Sequence, residues 1–222
     1  MMDVYLDAPA RQARGPAIVL MYHRGGIDGF TKGVVERLAG FGYLVAVPEV
    51  YHRCPAGMAP VERKNLLKDS EVVADIAATV ADLRARPDVS PDRIVLMGHC
   101  MGGRMALLGA GSLREFCGLV VYYGGSVNRS WGNDGPTPFE RLRHIACPVI
   151  GFFGDQDTHP SPQDVDRIDA ELGRHGIAHD FHRYPEAGHG FQNPAHDTPR
   201  ERAAAEDAWG KTQVFLRKVA PV

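Results

Sequence analysis

The chain has little of what marks a membrane protein, a nucleic-acid binder or a disulfide-stapled secreted domain. No apolar run in its 222 residues approaches the roughly 18 that cross a bilayer. The opening stretch MMDVYLDAPARQARG lacks a basic start followed by an apolar core, so no secretory signal is expected. Lysine and arginine number 25 against 27 acidic residues, for a net charge of −2, and no basic run breaks the mixture. Nucleic acid and an anionic membrane are therefore not expected partners. The four cysteines (Cys54, Cys100, Cys117 and Cys147) show neither metal-type spacing nor a dense framework. A reduced, cytoplasmic protein is the expectation, with no metal and no cofactor. Internal repeats, low-complexity tracts and linkers are also missing, so residues 1–222 are expected to form one α/β domain.

What is present is an alternation of strand-like and helix-like segments. Strands are expected at 3–8, 17–22, 43–48, 93–98, 118–124, 148–154 and 179–185. Several are short apolar runs of the kind buried on both faces of a sheet. Helices are expected at 30–40, over a long stretch from about Leu66 to Pro87, and at 101–110, 161–175 and 198–219. Residues 49–60, 125–138 and 186–197 read as loops. This order predicts a mostly parallel sheet of about seven strands with helices on both faces.

In such sheets functional residues gather just after the carboxyl ends of strands. Four places meet that condition. His23 follows 17–22, Cys100 follows 93–98 in GHCMGG, Asp157 follows 148–154 in GDQD, and His189 follows 179–185 in EAGHGF. Nucleophile, acid and histidine in that chain order is the order of the α/β-hydrolase triad. Glycines at 98, 102 and 103 suit a nucleophile on a sharp strand-to-helix turn, where backbones pass closely. A thiol reacts as thiolate, with an ordinary pKa of about 8.5. The helix start at Met101 and the imidazole of His189 would both lower it, with Asp157 orienting that imidazole. The backbone N–H groups of Met101 and Arg24 would form an oxyanion hole.

GHCMGG, GDQD and AGHGF, in this order and spacing, resemble the dienelactone hydrolase (carboxymethylenebutenolidase) family, a cysteine-based branch of the α/β-hydrolases. VPEVYHR (47–53) and VVYYGGS (120–126) are also similar to family stretches. The resemblance covers most of the chain. It implies an α/β-hydrolase fold and hydrolysis of a small-molecule ester or lactone through a thioester acyl-enzyme. It also implies Cys100 as nucleophile, His189 as base and Asp157 as the orienting acid. Two departures stand out. Well-studied members place a glutamate, paired with the thiol, where this chain has His23; an imidazole there predicts a thiolate-richer Cys100. The family's carboxylate-binding arginines are matched by Asn193 and, loosely, by Arg63, so a carboxylate-bearing dienelactone is not the expected substrate.

Plainer readings compete at several positions. Arg53 could line the pocket or form a surface salt bridge. Tyr123, Trp131 and Phe191 are expected near the site, some of them as an apolar wall, and Tyr122 could equally be core. Asp155 reads as a loop-capping group. His99 packs rather than catalyses, and His144, His159, His175, His179, His182 and His196 read as surface or core-satisfied rings. Other functions on the same scaffold are a thioesterase, a phosphotriesterase-like hydrolase, a non-catalytic binding module, or a redox sensor in which Cys54 approaches Cys100. Monomer and homodimer are both compatible with the sequence.

Overall fold

The computed structural model describes residues 2–8, 14–196 and 198–222; the side chain of His196 lies outside what is described. Its wholly apolar runs form the middle of one seven-stranded sheet. β2 (Gly15–Met21), β3 (Leu44–Pro48), β5 (Gly118–Tyr122) and β6 (Val149–Gly154) are buried at every position. β4 (Val89–His99) is buried throughout from Ile94 onward. β1 (Val4–Asp7) and β7 (His179–Tyr184) are partly exposed and form the two edges. The strand order is β1-β3-β2-β4-β5-β6-β7. Every neighbouring pair is parallel except β1 with β3, which is antiparallel. Strands without an exposed face require helical cover on both sides.

The helices begin where short polar side chains can take the free N–H groups of a first turn. α1 (Gly29–Gly40) is capped by Asp28, whose carboxylate accepts the Thr31 N–H at 3.0 Å. α6 (Pro162–Arg174) opens on a capping box of Ser161 and Asp164. α7 (Pro199–Val219) opens on Thr198. It is anchored to the sheet by Tyr122, whose hydroxyl reaches Thr212 Oγ1 at 2.5 Å and the Ala208 carbonyl at 3.2 Å. Tyr122 is thus a core residue.

Two stretches differ from expectation. The helix expected from about Leu66 starts only at Asp69, as α3 (Asp69–Ala85), and is preceded by a short α2 (Pro60–Arg63) and a 3₁₀ turn (Lys64–Leu66). Leu67 and Lys68 are extended between them. Leu67, not Leu66, enters the core: Leu66 is 47% exposed and Leu67 only 5%. The expected loop 125–138 contains a 3₁₀ turn at Trp131–Asn133 and runs into α5 (Pro138–Arg141). Both pieces are too short to show a helical period.

Candidate active site

β4 ends at His99 and α4 (Met101–Ala110) begins at Met101, leaving Cys100 alone at the turn. Its φ of 55° and ψ of −118° are strained for a residue with a Cβ. Backbone bonds hold it there. The Cys100 N–H donates to the Tyr122 carbonyl at 2.9 Å, and the Arg104 N–H to the Cys100 carbonyl at 3.2 Å. The turn closes only because its flanks are bare. A Cβ on Gly98 would overlap the backbone of Gly102, and one on Gly102 would overlap the Met21 carbonyl.

The loops after β6 and β7 bring the other two residues to the sulfur. His189 Nε2 lies 2.9 Å from Cys100 Sγ, and His189 Nδ1 lies 2.7 Å from Asp157 Oδ2. Asp157 is buried, and its second oxygen accepts the His159 N–H at 2.7 Å. An ionised carboxylate only accepts, so Nδ1 carries a proton and Nε2 is left to exchange one with sulfur. The backbone N–H groups of Met101 and Arg24, two residues that line the same cavity as Cys100, also favour its thiolate. Burial opposes a thiolate, but the hydrogen bond and charge of His189, with these two amides, hold the Cys100 pKa below its ordinary value. Burial also opposes an imidazolium, yet the bonds to Asp157 and Cys100 raise the His189 pKa to about 10. Both shifts favour the ion pair, and the two protons belong to a coupled system.

A cavity of about 760 Å³ opens above Cys100. His23, Arg24, Tyr123, Trp131 and Asn193 line it, and so do Lys64, Phe30 and Arg104, which the sequence did not single out. Three candidates are placed elsewhere. Arg53 pairs with buried Asp75 through both guanidinium nitrogens, at 2.7 and 2.8 Å, because an internal carboxylate needs a partner. Arg63 turns its Nε to the Met58 carbonyl at 2.6 Å, away from the cavity. Phe191 is buried behind Tyr123, with ring centroids 5.3 Å apart, and supports the wall without facing the cavity. Asp155 is no loop cap: it bonds Arg183 on β7 at 2.6 Å. His99 is buried, stacked on Tyr122 and bonded to Gln192 at 2.7 Å.

Arg104 is fully buried and binds both oxygens of Asp69, at 2.8 and 3.1 Å, and the Ser126 and Arg129 carbonyls. Asp69 also accepts the Trp131 N–H at 3.2 Å, and the Trp131 ring stacks on the guanidinium at 3.6 Å. The signal for this was visible: Arg104 is the one charged residue in MGGRMALLGA. Among the described residues, no three His, Cys, Asp or Glu side chains converge as metal ligands.

Residues 2–220 match the model of the dienelactone hydrolase family. The chain belongs to that family. A Synechocystis sp. protein named "Putative carboxymethylenebutenolidase" is 29% identical over 96% of this hydrolase and 90% of its own length. The crystal structure of a "Putative Dienelactone Hydrolase" from Klebsiella pneumoniae superposes with a TM-score of 0.86 at 25% identity, over 97% of this chain and 92% of that one. A dienelactone hydrolase-like promiscuous phosphotriesterase from metagenomic libraries shares the fold, with a TM-score of 0.82 at 16% identity over 99% and 93% of the two chains.

Proposed function

We propose that this dienelactone hydrolase family member cleaves esters or lactones of small acids with Cys100 as nucleophile. The observation that carries the reading is the continuous Asp157–His189–Cys100 chain, with contacts of 2.7 and 2.9 Å. The thiolate attacks the carbonyl carbon, a C–S bond forms, and the carbonyl electrons move onto oxygen. The Met101 and Arg24 amides, which favour the thiolate at rest, would receive that oxyanion. Collapse breaks the C–O bond, and the imidazolium of His189 protonates the departing alkoxide. His189, now neutral, takes a proton from water, and the resulting hydroxide attacks the thioester. The thiolate leaves and the acid is released.

The cavity suits a substrate with an acidic group. Lys64 and Arg24 line it, and among the described residues neither side chain has a carboxylate partner. The lining carboxylate, Asp157, is committed to His189. Lys64 supplies a cation where Asn193 and Arg63 do not, which favours carboxylate-bearing lactones of the kind named for the Synechocystis relative.

The test is a panel of p-nitrophenyl acyl esters, an unsaturated lactone carboxylate and an aryl phosphotriester, assayed with wild type and Cys100→Ala. Turnover of ester and lactone, lost in Cys100→Ala, is expected. Turnover that survives in Cys100→Ala overturns the mechanism.

A further inference from the structure

His23 stands at the cavity with both ring nitrogens engaged away from the sulfur. Nε2 lies 2.9 Å from Asp28 Oδ2, and Nδ1 accepts the Gly25 N–H at 3.3 Å. Burial opposes ionisation of Asp28, but the Thr31 N–H and His23 outweigh it and lower its pKa. An ionised Asp28 only accepts, so the ring proton belongs on Nε2 and Nδ1 is free to accept.

These bonds close a turn that carries the Arg24 amide inside it. The His23 carbonyl accepts the Gly26 N–H at 3.0 Å. The Tyr51 hydroxyl donates to the Arg24 carbonyl at 3.2 Å, and the Thr31 hydroxyl donates to the Gly26 carbonyl at 2.9 Å. The imidazole folds back so closely that a Cβ on Gly25 would lie 2.5 Å from His23 Cε1. The ring is further walled by Phe30, edge-on at 5.4 Å. The Gly26–His23 bond holds the His23–Arg24 peptide itself and the others hold the residues that follow it; the N–H of that peptide favours the Cys100 thiolate.

We propose that His23 is a positioning residue whose imidazole, protonated on Nε2, braces the 23–26 turn and thereby aims the Arg24 N–H at the oxyanion. The inference rests on the assignment of Cys100 as nucleophile. A brace of this kind acts on the transition state, where the oxyanion forms, and leaves substrate affinity nearly alone. An asparagine side chain puts an oxygen close to where Nδ1 sits and can accept the same Gly25 N–H two residues on. Alanine cannot.

The experiment compares His23→Ala, His23→Asn and Cys100→Ala on a p-nitrophenyl ester. His23→Ala is expected to lose about tenfold or more in kcat with KM within about twofold, since a whole oxyanion donor is worth 10²–10³. His23→Asn is expected to recover most of that loss. Alkylation of Cys100 by iodoacetamide, at a pH where the thiol is fully ionised, is expected to be equally fast in wild type and His23→Ala, because it needs no oxyanion hole. An undiminished kcat in His23→Ala overturns the proposal, as does a change confined to KM or an Asn variant no better than Ala. If His23→Ala fails to fold, ¹⁵N NMR of the wild-type histidines decides, with the His23 signals assigned from His23→Asn. A neutral ring protonated on Nε2 is expected, and a proton on Nδ1 overturns the brace. Turnover surviving in Cys100→Ala would instead remove the nucleophile assignment beneath it.

Discussion

Cys100 and His189 stabilise each other's charged forms across 2.9 Å, and that has a pH signature. The thiol pKa is lowered and the imidazole pKa raised to about 10, so the ion pair occupies the window between them. As pH falls through the thiol pKa the sulfur is protonated and the thiolate is lost. As pH rises through about 10 the imidazolium loses its proton and the ion pair ends. An ultraviolet thiolate titration should give a midpoint below about 8.5, and His189→Ala should move it upward. A wild-type midpoint at or above that value would refute the pair. His99 carries the opposite signature. Burial drives its pKa down to about 3, so it is neutral in the fold, whereas an unfolded histidine titrates near about 6.5. Between those two values the unfolded chain binds the extra proton, and stability falls as pH falls. Urea unfolding at pH 7, 6, 5 and 4 should show that decline, and His99→Phe should flatten it.

At the scale of elements, the turn from β4 into α4 and the loop 125–134 are one construction joined through Arg104. Removing one member of its buried pair leaves the other uncompensated. Asp69→Ala should therefore cost about 3–5 kcal/mol in urea unfolding. The double variant Asp69→Leu/Arg104→Met should cost much less, because no lone charge is left inside. Equal losses in the two would show that the pair's charge is not what matters. The β4–α4 turn was legible in sequence because its requirements are local: a strand, a single turn residue and bare glycines. The 125–134 segment was not, because its shape depends on a guanidinium more than twenty residues away.

Across the whole molecule the net charge is −2, while Arg24 and Lys64, which have no carboxylate partner among the described residues, line the cavity. A field of that kind draws in acidic substrates and fades with salt, since the Debye length is about 8 Å at 0.15 M. For a carboxylate-bearing ester, kcat/KM should fall as ionic strength rises; for a neutral ester it should not. Lys64→Ala should raise KM for the acidic ester several-fold and leave the neutral one unchanged. Equal effects on both esters would remove Lys64 from substrate binding.

The sequence by itself determined the strands and most helices, the mostly parallel character of the sheet, and which residue types stand at the carboxyl ends of β4, β6 and β7. Hydrophobic period, turn glycines and capping residues are short-range properties, and a chain carries them openly. Only the tertiary structure decided which cations face the cavity and what His23 bonds. Arg63 and Lys64 are adjacent, yet neighbouring side chains on a helical turn point about 100° apart, and only Lys64 looks inward. Arg53 was claimed by a carboxylate 22 residues away. Partner choice of that sort is set by burial and direction in space, which spacing along the chain does not encode.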